Sequence, residues 1–254
     1  MQLWTKEHAL TLLPAVVLML ILAFFMRKWL GGKSRKIRMI PFQILTVILL
    51  LLEVGKQGLS LYRGYDLYCL PFHYCSLFIF VLPVMAFYRG KHQEVVTTVT
   101  TSICAAVFAL MLIYPNLIYS DGSVRAFFTD FFSFHTVAFH NIVVLQCILI
   151  FALDLHTPEK PLKLRPIIWF MILFSAVSAT MAHLLRTNYA NFYTCNVPLL
   201  ETVRLAVESV LGVVVAKLVY IAILTALNVL FTLGAYRLYG LLHTAVFKKK
   251  TPVS

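Results

Sequence analysis

Along this chain, apolar runs about 20 residues long alternate with short polar or basic stretches. Twenty helical residues rise about 30 Å, the thickness of a bilayer's hydrocarbon core. The pattern predicts seven helices, at about 9–27, 41–59, 71–88, 95–114, 131–153, 166–186 and 208–232. The expected fold is all-α: a polytopic membrane bundle forming a single transmembrane domain over residues 1–254. The aromatic and basic stretch 233–247 is expected to continue the last helix along the membrane interface. No internal repeat, low-complexity run or soluble linker interrupts the pattern, which argues against an inverted-repeat transporter.

Composition reinforces this picture. The chain is 61% hydrophobic with a mean hydropathy of +0.86, above the roughly 45–50% apolar content of soluble domains. A net charge of +12 would suggest a nucleic-acid partner in a soluble protein. Here the charge follows topology. Of 22 Lys and Arg, fifteen fall in the segments 27–38, 89–91, 160–165 and 237–250, all on one side of the predicted membrane. Lys6, Arg63, Arg125, Arg186 and Arg204 fall on the other, and Lys56 and Lys217 lie inside spans. The positive-inside rule then places the N-terminus outside and the C-terminus in the cytoplasm, in a bacterial cell membrane, with no nucleic-acid partner. The first apolar run is followed, not preceded, by its basic cluster, and no small-residue cleavage site follows, so it reads as a retained helix.

Ionisable residues inside a bilayer are costly, and they carry the candidate chemistry. Glu53 and Lys56 are three apart on the second helix and share a face. Their plain reading is an ion pair holding that helix in the bundle; the sharper one is that Glu53 orients a catalytic group. Leu70-Pro71-Phe72-His73-Tyr74-Cys75-Ser76 opens the third helix with a histidine and a thiol two residues apart. On a regular helix these point about 200° apart and cannot both face one cavity. Tyr114-Pro115 ends the fourth helix. His135 stands near the start of the fifth, with His140 about 140° around the wheel and Gln146 below His135 on its face. His183, Arg186, Asn188 and Tyr189 end the sixth. These groups come from five helices yet gather at one end, while the opposite halves read as nearly pure Leu, Ile, Val, Phe and Ala. That asymmetry predicts a membrane-embedded site opening toward the outer leaflet.

The cysteines are Cys69, Cys75, Cys104, Cys147 and Cys195. None has zinc-ligand spacing, and a metal site built from His73, His135, His183 and Glu53 has no spacing to support it, so no metal or cofactor is implied. Cys69 and Cys195 both fall in outer segments and are candidates for a disulfide. Only Cys75 lies at the rim beside a histidine. As a plain alternative, it is a small buried hydrophobe, the commonest fate of a free cysteine.

Four motifs in register resemble the YwaF-type integral membrane family: Leu70 to Ser76, Tyr114-Pro115, Phe131 to His135, and Thr187-Asn188-Tyr189. The resemblance covers nearly the whole chain, with Phe72 standing where the family usually has Leu. It implies lipid acyl chemistry, since eukaryotic relatives include a phospholipid acyltransferase to which use of this cysteine is attributed. More distant relatives hydrolyse lipid esters with a threonine and a histidine.

The resulting expectation is an acyltransferase acting on a membrane lipid. Cys75 attacks an acyl ester, and His135, on another helix, takes the thiol proton. His73 supplies a hydrogen bond to the oxyanion, or acts as base if the helix start is distorted. Asn188 and Tyr189 contact the oxyanion or headgroup, Tyr114 lines the substrate site, and Glu53 orients a histidine. Lys56 and Arg186 hold a lipid phosphate. A lipid ester hydrolase would use the same residues with water as acceptor. A non-catalytic lipid or small-solute transporter would continue the polar cluster toward the cytoplasm, and a structural membrane partner would use it for helix packing.

Overall fold

The computed structural model describes residues 4–117, 120–158, 162–194 and 198–247. In chain order the helices are α1 (Lys6–Leu30), α2 (Arg35–Arg38), α3 (Ile40–Tyr62), α4 (Phe78–Phe87), α5 (Gln93–Ile113), α6 (Asp121–Arg125), α7 (Phe131–Ala152), α8 (Arg165–Leu185), α9 (Pro198–Leu211) and α10 (Val213–Phe247). Among the described residues there is no strand. Six stretches are long and apolar enough to cross a bilayer: α1, Arg35–Tyr62 (α2 with α3), α5, α7, α8 and α10. The all-α polytopic bundle expected from the hydrophobic pattern is the fold found.

Local signals set the helix phases. Pro41 and Pro166 stand in the first turns of α3 and α8, where a missing N–H costs nothing. Asp130 caps α7 by accepting the Ser133 N–H at 2.8 Å, so the Phe131–His135 motif forms the first turns of that helix. Arg186 ends α8 in the left-handed conformation (φ 52°), which turns the chain so that Asn188 follows directly. Phe42, Leu49, Phe78, Leu82, Ile103, Val143 and Leu149 fill the core among α3, α4, α5 and α7. Helix α10 packs on α5 and α8, and α1 covers α7 from outside.

Two expected spans are corrected. The third, drawn over 71–88, is a regular helix only over the ten residues of α4, with a 3₁₀ turn at Cys75–Leu77 before it. Residues 70–74 are irregular. Pro71 has no N–H to donate, and Leu70 before it is extended (φ −63°, ψ 146°), as a residue preceding proline prefers. Helix α4 is therefore about 15 Å long, half a hydrocarbon core. The rest of the crossing is made by non-helical backbone, which a membrane tolerates only where its polar groups find partners.

The last span, drawn over 208–232, is divided at Gly212, whose φ of +75° only glycine adopts freely. Before it α9 is a separate amphipathic helix; after it α10 runs 35 residues, about 52 Å. The stretch 233–247 continues α10 without a break. It is held by His156 Nε2 to Tyr236 Oη at 2.8 Å, Tyr239 Oη donating to the His156 carbonyl at 2.8 Å, and His243 Nε2 against Asp154 Oδ1 at 2.8 Å.

The half of the bundle expected to be nearly pure Leu, Ile, Val, Phe and Ala also holds buried polar groups. Thr46, Thr97, Ser102 and Gln146 are fully or nearly fully buried there. Each hydroxyl donates to a carbonyl of its own helix: Thr46 to Phe42, Thr97 to Gln93, Ser102 to Val99. Such residues read as apolar in the pattern because the helix itself satisfies them.

Candidate functional site

The non-helical crossing roofs a cavity of about 970 Å³ enclosed by α3, the 63–76 segment, α5, α7, the 188–191 turn and α10. Glu53, Lys56, His73, Cys75, His135 and Asn188 all line it. Its α5 and α10 walls are mainly apolar, with Val107, Leu110, Leu224, Leu227 and Phe231. Its mouth carries Arg63, Gly64, Asp66 and Tyr68, all exposed.

Depth follows from one hydrogen bond at the far end of the bundle. Gln43 Nε2 on α3 donates to the Ala86 carbonyl on α4 at 2.9 Å, so these residues share a level. Counting up α3 to Glu53 and back up α4 to Cys75 gives about 15–18 Å in each case. The carboxylate and the thiol therefore lie at the same depth, near the middle of the bundle. Cys75 stands at the start of the 3₁₀ turn that leads into α4 and is not at the rim; a regular helix counted back from Ala86 would place it at the same level, about 16 Å up.

Glu53 is the hub. Its side chain is 8% exposed over the whole residue and touches three others. Lys56 Nζ lies 2.7 Å from Oε1, and Gln57 Nε2 donates to the same oxygen at 2.7 Å. His135 Nε2 lies 3.2 Å from Oε2, in close contact but off the line of a straight hydrogen bond. A carboxylate only accepts, so a neutral His135 carries its proton on Nε2 and its lone pair on Nδ1.

The segment that bears Cys75 is pinned by its carbonyls. Gln57 Nε2 also donates to the Cys69 carbonyl at 2.8 Å, and Tyr65 Oη donates to Gln57 Oε1 at 2.8 Å. Tyr189 Oη donates to the Leu67 carbonyl, and His73 Nε2 to the Tyr68 carbonyl at 3.1 Å. The His73 ring stands between Tyr68 (centroids 4.3 Å apart) and Tyr189 (5.3 Å). The one N–H of a neutral His73 is thus committed to its own loop, leaving Nδ1 as an acceptor. The 200° separation of His73 and Cys75 does not arise, because the segment between them is not helical; both reach the cavity.

The remaining expected residues divide. Asn188 Oδ1 accepts the Tyr193 and Thr194 N–H groups at 3.3 and 3.2 Å, which leaves its Nδ2 hydrogens for the cavity. Tyr189 is fully buried and supports the roof. Tyr114 and Arg186 do not line the cavity, and Arg186 is exposed on the turn ending α8. Arg63 does line it, with its guanidinium over the Phe132 ring at 5.6 Å. Cys69 lines the cavity as a free thiol; Cys195, its expected disulfide partner, lies outside the described residues. Among the described residues no cluster of three or more His, Cys, Asp or Glu is arranged to hold a metal ion.

Sequence reasoning missed four lining or linking groups. Gln57 is four residues from Glu53, and helical spacing alone puts it on the same face. Arg63 was counted only as a topology charge. His140 was set aside by its angle from His135, yet a cavity this wide takes both. Asn228 is a lone amide in the apolar α10, and it faces the cavity with Leu224 and Leu227; a polar residue in such a span is itself the signal.

No curated protein and no solved structure matches this chain. A family model does: it covers residues 3–247, the stretch that holds all four motifs and all six long spans. The match bears on membrane character and leaves acyl chemistry open. This integral membrane protein belongs to the TMEM164 family.

Proposed function

We propose that this protein is a membrane-embedded lipid acyltransferase that carries the acyl group on Cys75 as a thioester. The observation that carries the reading is the contact of Glu53 with His135 on the wall of a cavity that also holds Cys75. The Glu53 carboxylate beside Nε2 favours the imidazole tautomer with Nδ1 as the basic atom, the arrangement a thiol nucleophile needs.

Cys75 Sγ attacks the ester carbonyl of a lipid while Nδ1 of His135 takes the thiol proton. The tetrahedral intermediate collapses by breaking the ester C–O bond. The imidazolium returns the proton to the departing oxygen, releasing a lysolipid alcohol. An acceptor hydroxyl then attacks the thioester, His135 takes its proton, and the proton passes to the Cys75 sulfur as the C–S bond breaks. Asn188 Nδ2 and the Lys56 ammonium are the donors suited to the oxyanion. Lys56 and Arg63 suit the lipid phosphate, with Arg63 in the role the sequence suggested for Arg186. The apolar α5 and α10 walls suit an acyl chain. Hydrolysis is a second reading favoured by the exposed mouth at Arg63, Asp66 and Tyr68, which admits water as acceptor.

The charge bias supports an orientation with the cavity on the extracytoplasmic side. Exposed Tyr62, Tyr68 and Phe128 at that end suit an interfacial aromatic belt. The test supplies labelled phospholipid to the purified parent and to Cys75→Ser. A hydroxylamine-labile acyl adduct on the parent alone is expected. Full transfer by Cys75→Ser would remove the cysteine mechanism.

A further inference from the structure

We propose that Gln57 is the positioning residue that holds the Cys75 segment in register with the Glu53–His135 pair. This rests on the acyl-transfer reading of the same cavity and adds to it a residue that does not line the cavity. Cys75 begins the 3₁₀ turn that runs into α4, which packs on α3, but the stretch before it, residues 70–74, is irregular and has no helical bonds to hold its course. A side chain of α3 holds it instead. The Gln57 amide uses both hydrogens: one on Glu53 Oε1 of its own helix at 2.7 Å, one across to the Cys69 carbonyl at 2.8 Å.

The amide orientation is settled by its partners. A carboxylate and a carbonyl only accept, so both must face the NH₂ group, and the amide oxygen is left to accept Tyr65 Oη at 2.8 Å. All three capacities are filled by different parts of the site. Tyr65 itself sits at positive φ (28°) after Gly64 (93°), a bend that lets the loop fold its hydroxyl back onto α3. The link is specific to an amide. A carboxylate of the same shape donates no hydrogen when ionised and would stand beside Glu53 with like charge. A leucine would leave the Cys69 carbonyl and one Glu53 site unfilled.

The experiment is site-resolved alkylation of the full-length protein in detergent micelles with iodoacetamide, each cysteine followed by mass spectrometry from pH 6 to 10. The chains compared are the parent, His135→Ala, Gln57→Leu, Gln57→Glu, the double variant Gln57→Leu/His135→Ala, and Gln43→Leu. Gln43 makes a similar amide-to-carbonyl bond at the far end of α3, to Ala86. Buried Cys104 and Cys147 report on the fold, because unfolding would expose them to reagent.

Gln57→Leu is expected to slow Cys75 alkylation at pH 7 about ten-fold, the scale of one charge-assisted hydrogen bond, with Cys104 and Cys147 still protected. Gln57→Glu is expected to move the Cys75 profile to higher pH. The double variant is expected to be no slower than His135→Ala, since a residue that acts by positioning has nothing left to position. Gln43→Leu should match the parent. Additive losses in the double variant, or an unchanged Gln57→Leu profile, overturn the proposal while leaving the reaction standing. If His135→Ala leaves the Cys75 rate and profile unchanged, the thiol–imidazole reading falls, and the role of Gln57 falls with it.

Discussion

Replacing Glu53 by Gln separates a structural ion pair from a catalytic one. The substitution keeps the side chain's size and one acceptor oxygen but removes the charge. Lys56 and Gln57 both donate to Oε1, so the amide oxygen of the new side chain belongs there. Its NH₂ group then replaces Oε2 and faces His135 Nε2, which lies 3.2 Å away in the parent. Two N–H groups repel, so the imidazole moves its proton to Nδ1, the atom left to the cavity. The basic lone pair is then turned away from the thiol. A reversed tautomer behind a catalytic histidine costs roughly 10⁴-fold in serine proteases, and a loss of that order is expected in the rate of thioester formation.

Stability follows a different rule. Removing one member of a buried pair costs about 3–5 kcal/mol in a dry interior. With 15% of the Lys56 and 11% of the Glu53 side chain open to the cavity, the lower figure of about 3 kcal/mol applies. Adding Lys56→Met to Glu53→Gln removes the orphaned ammonium and is expected to restore most of the thermal midpoint. It cannot restore the tautomer. The assay pairs thermal unfolding in detergent with the rate of hydroxylamine-labile adduct formation. If the double variant recovers both, Glu53 only holds the bundle together, and its catalytic role is refuted.

Other outcomes follow from the same geometry. Arg63→Ala should raise the KM for an anionic lipid about ten-fold, the worth of one charge-assisted contact, while Arg186→Ala should leave it within about two-fold; equal effects would return the phosphate to the α8 turn. Tyr189→Phe removes the hydroxyl that satisfies the Leu67 carbonyl and should lower stability by about 1–3 kcal/mol in chemical denaturation. Gly212→Ala meets no atom within 4 Å but keeps a φ of +75°, and should cost about 1–2 kcal/mol from backbone strain alone. The half-buried Asp130 carboxyl is held below the usual carboxylate range by hydrogen bonding from Ser133. Its support for α7 is therefore full above the unfolded carboxylate pKa and fades as pH falls through the lower folded value. The midpoints of parent and Asp130→Ala should differ at neutral pH and converge in acid.

The fold was legible where one physical rule dominates. A helix that must cross a bilayer shows its length in the hydrophobic run, and α1, α3, α5, α7 and α8 lie close to the drawn spans. The misses occur where an apolar run is not one helix. Residues 71–88 are as hydrophobic as a span, yet Pro71 and three captured carbonyls just before it, at Leu67, Tyr68 and Cys69, keep the first turns out of the helix. Hydropathy does not register where a carbonyl goes. Gly212 ends the amphipathic α9, with Glu201, Arg204 and Glu208, and begins the apolar α10, a boundary that falls inside the span drawn over 208–232. Glu53, His135, His73 and Asn188 stand out in the sequence because charge or amide groups in a span are conspicuous, and all four line the cavity. Tyr189, expected at the oxyanion or headgroup, donates to the Leu67 carbonyl and does not line the cavity; nothing in a sequence tells a tyrosine that faces a cavity from one that holds up a loop.

The short α4 ties these observations together. A full-length third helix would place Cys75 at the same depth but satisfy its own backbone, with no reason for Gln57, Tyr189 and His73 to donate to loop carbonyls. Ending the helix at Cys75 leaves the thiol level with Glu53 and creates a polar roof above it. That roof needs buried donors, and those donors also shape the walls of the site. The polar cluster that first drew notice at one end of the chain's helices is therefore two things at once. Part of it, Glu53, His135 and Cys75, lines one cavity and is the part on which the acyl-transfer proposal rests. The rest, Gln57, Tyr189 and the His73 N–H, satisfies carbonyls of the non-helical segment that leads into Cys75.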